Sequence, residues 1–168
     1  MLLIDDDGYF LRKFGKKDFQ LYQESYSKLT YSYVEDGKPD PEIEAKMRKS
    51  SAENVWSRKK YQDVIRKHPE VELYYFSNRH GEVLGVTSLN FFPEHNAFSI
   101  GEFCVFQRQQ GLGTKFLDIL LLLILEQKPY VKRIEVQCPS ILKGSRTFWM
   151  KKGFRPMLSN NDYLEKSL

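Results

Sequence analysis

The chain has 168 residues, of which 41% are hydrophobic, 14% aromatic and 29% charged; this fits one domain over 1–168 with a sizeable core and excludes a disordered chain. The formal net charge of +4 is modest, whereas a dedicated nucleic-acid binder concentrates more positive charge on one face. The densest basic patch, "RKK" at 58–60, reads as a solvated helix face.

In chain order, "MLLIDDDGYF" is acidic and lacks the basic start of a signal peptide. "GYFLRKFG" at 8–15 alternates as a first strand. Helical spacing of Phe19, Tyr22, Tyr26 and Leu29 follows, with Asp18 as the N-cap candidate. After the loop "EDGKPDP", Asp40 caps a short helix with Pro41 in its first turn. Ser50 and Glu53 form a capping-box pattern for a further helix that stops near His68, before Pro69.

Three β-rich runs come next, at 71–77, 82–92 and 97–106. They are joined by the short turns "NRHG" and "PEHN", so an antiparallel meander is predicted. "RQQGLGTKF" then opens the apolar helix 116–125, which is too short to span a bilayer and contains Asp118. A strand at 131–138, a helical stretch "SILKGSRTFWMKK", "GFRPM" and a last strand at 161–168 complete an α/β domain. Cys104 and Cys138 lie in apolar strands, as reduced thiols of a cytoplasmic protein do. His68, His80 and His95 show neither metal-ligand spacing with the cysteines nor a recognisable triad with Cys104; no metal and no membrane association are predicted.

The two glycines of the junction, Gly111 and Gly113, admit two explanations. Amides at a helix N-terminus form an anion site that a bare backbone lets a phosphate approach, with Arg108 and Lys115 adding charge. A simple strand-to-helix turn is the other. The P-loop ending and the third glycine of the dinucleotide fingerprint are both missing.

Arg108-x-x-Gly111-x-Gly113, preceded by the meander and followed by strand, helix, "FWMKKGFRP" and "DYLEKSL", resembles the GNAT acetyltransferase superfamily over 70–168. That resemblance implies a mixed, mostly antiparallel sheet, splayed between its fourth strand, 97–106, and its fifth, 131–138, with flanking helices. Acetyl-CoA is then the acyl donor. Its pyrophosphate would lie on Arg108, Gln109, Gln110, Gly111, Leu112, Gly113 and Thr114, and its pantetheine arm beside backbone groups of Phe103, Cys104 and Val105. Ser145 matches a small polar position near the coenzyme. Gly101, in mid-strand, suits either a bulge or close packing beneath a helix.

The implied reaction is direct attack of a neutral amine on the thioester, which needs a base to take a proton from the ammonium. Glu102, amid apolar neighbours in the strand beside the splay, is the candidate base, with Glu135 as an alternative. Where the family places a tyrosine that protonates the leaving thiolate, this chain has Trp149, whose indole is no practical acid; Tyr163 or Tyr130 could substitute. Leu142 stands where the family carries an asparagine. Tyr22, Tyr26, Tyr31, Tyr33 and Trp56 either line the acceptor entrance or belong to the core. The acceptor is an amine of unspecified kind, small or protein-borne, and a homodimer is compatible with the sequence. The alternative function is a non-catalytic acyl-CoA-binding or regulatory module.

Overall fold

The computed structural model describes residues 2–4, 8–29, 34–35, 38–39, 41–107, 111–140 and 142–168. Its elements, in chain order, are β1 Leu2–Ile4, β2 Phe10–Lys13, α1 Phe19–Tyr26, β3 Val34–Glu35, β4 Lys38–Pro39, α2 Pro41–Glu53, α3 Arg58–Lys67, β5 Val71–Ser77, β6 Val83–Phe92, β7 Ala97–Val105, α4 Leu112–Gln127, β8 Arg133–Gln137, α5 Lys143–Lys151, β9 Arg155–Pro156 and β10 Tyr163–Ser167. Eight strands form one sheet in the order β1-β2-β5-β6-β7-β8-β10-β9, and β3 with β4 make a separate hairpin.

Every neighbouring pair in the large sheet is antiparallel except β7 with β8. The predicted meander is β5-β6-β7. Its first turn is fixed by Asn78, whose side-chain oxygen accepts from the amides of His80 and Glu82, with Gly81 at φ +80°. Its second is a single 3-10 turn, Pro93–His95, closed by Asn96 in the left-handed region. Because β7 and β8 run parallel, a crossover must join them, and α4 is that crossover.

The parallel pairing is short. It runs from Ala97 opposite Arg133 to Ile100 opposite Val136 and stops there, although β7 continues to Val105. Beyond Ile100 the two strands part, which is the predicted splay.

Two apolar layers cover the sheet. On one face Leu117, Leu120 and Ile124 of α4 and Trp149 of α5 pack on Phe76, Leu89, Phe98 and Ile100. On the other, Phe19, Tyr22 and Tyr26 of α1 and Tyr61 of α3 pack on Leu73, Val86 and Cys104. α4 is buried along one stripe only; Asp118, Leu122 and Leu125 face solvent. Both cysteines are buried and neither takes part in a disulfide.

The predicted caps need correction. α2 runs through Ser50 to Glu53, so those residues do not cap a helix; instead Ser57 starts α3 and accepts the Lys60 amide at 3.3 Å. Ser57 wins because its extended backbone frees the hydroxyl for an N-terminal amide. Asp18 precedes α1 but turns its carboxylate to the Gly15 amide at 2.7 Å. Asp40 lies outside the described residues. α3 does end at His68. "GFRPM" supplies β9, an edge strand short enough to carry Pro156. The "RKK" patch is partly engaged, with Arg58 over the Phe19 ring and Lys60 over the Trp56 ring.

Candidate active site

The site begins with a break in alternation. Phe98 and Ile100 of β7 point into the α4 layer; in a regular strand residue 102 would follow them. Opposite β6, however, Thr87 pairs with Phe103 while Leu89 pairs with Ile100. Gly101 and Glu102 therefore face the single residue Ser88, which is a β-bulge. The extra residue sends Phe103 and Val105 toward the α4 layer and Cys104 into the α1 layer. Glu102 goes with Cys104, out of the core and into a cleft.

Glu102 is held there from three directions. The Ser88 hydroxyl donates to its carboxylate and accepts its amide at 3.0 Å, and Thr87 Oγ1 donates to its carbonyl at 2.7 Å. Ser88 is 4% exposed, so its hydroxyl meets little competition from water. A Cβ on Gly101 would lie 2.5 Å from Ser88 Oγ. The bulge and close packing are thus both real, and the packing is against a side chain, not beneath a helix.

The cleft above Glu102 has a volume of about 400 Å³. Tyr22 and Tyr26 of α1, Trp56 of the α2–α3 junction, and Leu73, Ser88 and Asn90 of the sheet form its walls. The Tyr22 hydroxyl accepts the Trp56 amide at 3.2 Å, and that of Tyr26 reaches the Thr87 carbonyl at 3.4 Å. Burial pushes the Tyr22 phenol above its ordinary pKa; the Trp56 amide opposes this, and the nearby Glu102 charge adds to the rise. The three rings serve as core and as wall at once. Tyr31 and Tyr33 lie outside the described residues.

On the other side of β7 lies the splay. Phe106 N–H donates to the Leu84 carbonyl at 2.8 Å, so this is a hydrogen-bonded pair. Alternation then makes Val105–Gly85 and Phe103–Thr87 non-bonded pairs. Amides and carbonyls of Phe103 and Val105 consequently point into the gap toward β8. Those of Cys104 turn to β6, so the register removes Cys104 from the expected backbone trio.

The mouth of the gap is the start of α4. Gly111 sits at φ +72° with nothing within 4 Å of where a Cβ would be. Its carbonyl accepts the Thr114 and Lys115 amides at 3.0 and 3.3 Å, while the amides of Leu112 and Gly113 precede the first intrahelical bond. A Cβ on Gly113 would meet Phe148 and Val105 within 4 Å, at ordinary contact distances, which places the start of α4 beside α5 and the end of β7. Lys115 lies over the Tyr9 ring, 5.3 Å from its centroid. Ser145 is half-buried in α5. Arg108, Gln109 and Gln110 lie outside the described residues.

Other candidates are sorted by position. Glu135 pairs with Arg133 at 2.7 Å and stands in the closed part of the sheet opposite Ser99. Trp149 is 4% exposed, edge-on to Phe103 and Phe154, and Leu142 packs against the same core. Tyr130 meets Phe91 just before β8, at the closed end of the parallel pair, whereas Tyr163 faces Gln137 at the open end. Ser88 escaped the sequence reading. Its signal was the shift in apolar parity from Phe98 and Ile100 to Phe103 and Val105, which requires a bulge at Gly101–Glu102 and hence a partner residue across from it. Among the described residues no group of three or more His, Cys, Asp or Glu is arranged to hold a metal ion. No helix there is long and apolar enough to cross a membrane.

No protein-family model and no curated protein sequence matches the chain. Solved structures do. The PaiA N-acetyltransferase from Thermoplasma acidophilum, in complex with coenzyme A, is 15% identical with a TM-score of 0.66, over 96% of this chain and 99% of that one. RimL, a ribosomal L7/L12 alpha-N-protein acetyltransferase also in complex with coenzyme A, is 12% identical with a TM-score of 0.66, over 100% and 98%. A probable acetyltransferase from Staphylococcus epidermidis is 12% identical with a TM-score of 0.70, over 95% and 98%. Together with the parallel pair that splays beyond Ile100, these likenesses establish that the chain has the fold of the GNAT acetyltransferases along nearly its whole length.

Proposed function

We propose that this protein is an acetyl-CoA-dependent N-acetyltransferase acting on a primary amine. The observation that carries this reading is the bulge at Gly101–Glu102, which sets two openings back to back across β7. One is the splay, toward which Phe103 and Val105 turn their backbone groups. The other is the cleft that holds Glu102.

The splay suits acetyl-CoA as acyl donor. Amides and carbonyls of Phe103 and Val105 would pair with the pantetheine amides as a further strand does. The start of α4, open at Gly111, would take the pyrophosphate on the Leu112 and Gly113 amides with the help of the helix dipole; Arg108, Gln109, Gln110, Thr114 and Ser145 complete the proposed set. Coenzyme A in the PaiA and RimL structures of the same fold supports this use.

Chemistry follows from the same geometry. An ammonium has no lone pair, so Glu102, directly or through water, removes a proton before the amine attacks the thioester carbonyl. Fixing both partners on one strand supplies orientation. The buried Trp149 supplies no acid, and Tyr163, at the open end of β8, is the proton source proposed for the thiolate. Cys104 and Cys138, buried and outside any disulfide, suit the reducing cytoplasm.

A free-thiol assay with acetyl-CoA and a panel of primary amines tests the proposal. Amine-dependent thiol release that falls in Glu102→Gln is the expected result. Acetyl-CoA binding with no release on any amine supports instead a non-catalytic acyl-CoA-binding module, the reading that Trp149 favours.

A further inference from the structure

The bulge sets Ser88 of β6 opposite both Gly101 and Glu102. A hydroxyl has a single proton and two lone pairs. The Glu102 amide donates to Ser88 Oγ at 3.0 Å and occupies one lone pair, and the hydroxyl proton is turned to Oε2 of the Glu102 carboxylate. Amide and carboxylate of one residue thus close on one hydroxyl. Thr87 Oγ1 donates to the Glu102 carbonyl at 2.7 Å, a bond that holds the backbone only.

Among the described residues Ser88 is the sole donor to the carboxylate, and no lysine or arginine pairs with it. Oε1 is therefore left for a guest in the cleft that Glu102 lines. A neutral hydroxyl steers the carboxylate and leaves its charge in place, where a paired cation would offset it.

We infer that Ser88 is a positioning residue for the proton transfer: it holds Glu102 through Oε2 so that Oε1 meets the ammonium of the acceptor. The inference rests on the proposed function. In the step it serves, an N–H bond of the ammonium breaks and its proton goes to Oε1, while the electron pair stays on nitrogen. That pair forms the C–N bond as the C–S bond of the thioester breaks. The nitrogen loses a second proton as the amide forms and the thiolate gains one, so the net release is a single proton per turnover.

Two amines of similar size separate this role from a structural one. Ethylamine is an ammonium at neutral pH and needs the base; 2,2,2-trifluoroethylamine, made less basic by its fluorines, is already neutral and does not. Thiol release by the full chain is measured with each at saturating acetyl-CoA, in the wild type, Ser88→Ala, Glu102→Gln and the double variant. On ethylamine Ser88→Ala should lower kcat about ten- to a hundredfold, the scale of a reacting group left about 1 Å out of place. In the Glu102→Gln background it should cost nothing further. On trifluoroethylamine Ser88→Ala should stay within about threefold of the wild type, which also shows that the variant folds and binds acetyl-CoA. Should ethylamine be refused, the fastest amine of the panel takes its place, and the cost of Ser88→Ala in the Glu102→Gln background decides.

Equal losses on the two amines, a further loss in the Glu102→Gln background, or undiminished turnover in Ser88→Ala each overturn the inference and leave the proposed function standing. Thiol release stimulated by no amine of the panel in the wild type removes the reaction itself, and the proposed function and the inference fall together.

Discussion

Adding one methyl group at Gly101 should disconnect Glu102 from its support. Gly101 is not in the left-handed region, so the objection to a side chain there is steric. The new Cβ would fall 2.5 Å from Ser88 Oγ, while its next neighbours, Asn90 Nδ2 at 3.5 Å and Ser88 Cβ at 3.8 Å, are ordinary contacts. Ser88 must therefore swing its hydroxyl away and give up its bonds to the Glu102 carboxylate and amide. The first is worth about 1.5–3 kcal/mol and the second about 1 kcal/mol, so Gly101→Ala should cost about 2–4 kcal/mol. For a domain of this size that corresponds to a fall in Tm of roughly 5–15 °C. Urea unfolding of the four members of a cycle with Ser88→Ala measures it, provided m stays constant. In the Ser88→Ala background the obstruction is gone, so Gly101→Ala should then cost less than about 1 kcal/mol, a coupling well above the additivity error. Equal cost in both backgrounds would falsify the claim that Ser88 is what Gly101 accommodates.

Four further outcomes follow from the site. Gly111→Ala should lose about 1–2 kcal/mol from the left-handed backbone alone, and Gly111→Glu should also abolish acetyl-CoA binding while the circular dichroism spectrum stays native; retained binding by calorimetry contradicts the loop assignment. Glu102→Gln should lower kcat, because an amide cannot take the proton from the incoming ammonium; unchanged turnover removes Glu102 as base. Trp149→Phe should keep turnover within a few-fold, because its buried indole fills space, whereas Trp149→Ala should cost about 3–5 kcal/mol of stability; a large kcat loss in the phenylalanine variant shows a chemical role. Burial pushes the Cys138 thiol above its ordinary pKa, against the pull of Arg146. Less thiolate is then present at pH 8 than for an exposed cysteine, and alkylation followed by mass spectrometry should be slow until the chain unfolds.

The meander and the strand–helix–strand order after it were legible because each depends on local pattern. Alternation marks β5 to β7, and Asn78, Gly81 and Asn96 supply the turns. The splay was expected from resemblance; in β7 the parallel pairing ends at Ile100, where apolar parity changes across Gly101–Glu102. What could not be read was which groups meet across strands. Ser88 lies fourteen residues from Glu102, and only the bulged register brings it under the carboxylate. Cys104 passed as a backbone partner for the same reason, since which residues point their amides outward depends on the pairing with β6. The Ser50–Glu53 cap failed because helix propensity carried α2 through the motif to Glu53, leaving the capping role to Ser57.

The central claim is that the opening between β7 and β8, with the start of α4 at its mouth, holds acetyl-CoA. Thermal unfolding with and without excess acetyl-CoA, with ATP and NADH as controls, tests it most directly. A ligand that binds only the folded chain adds about 2.7 kcal/mol of stability at a hundredfold excess over its Kd, or roughly 5–10 °C for a domain of this size. The account predicts that shift with acetyl-CoA, little with ATP or NADH, and its loss in Gly111→Glu. A Tm unmoved by millimolar acetyl-CoA would contradict it and leave the glycines of "RQQGLG" as a turn.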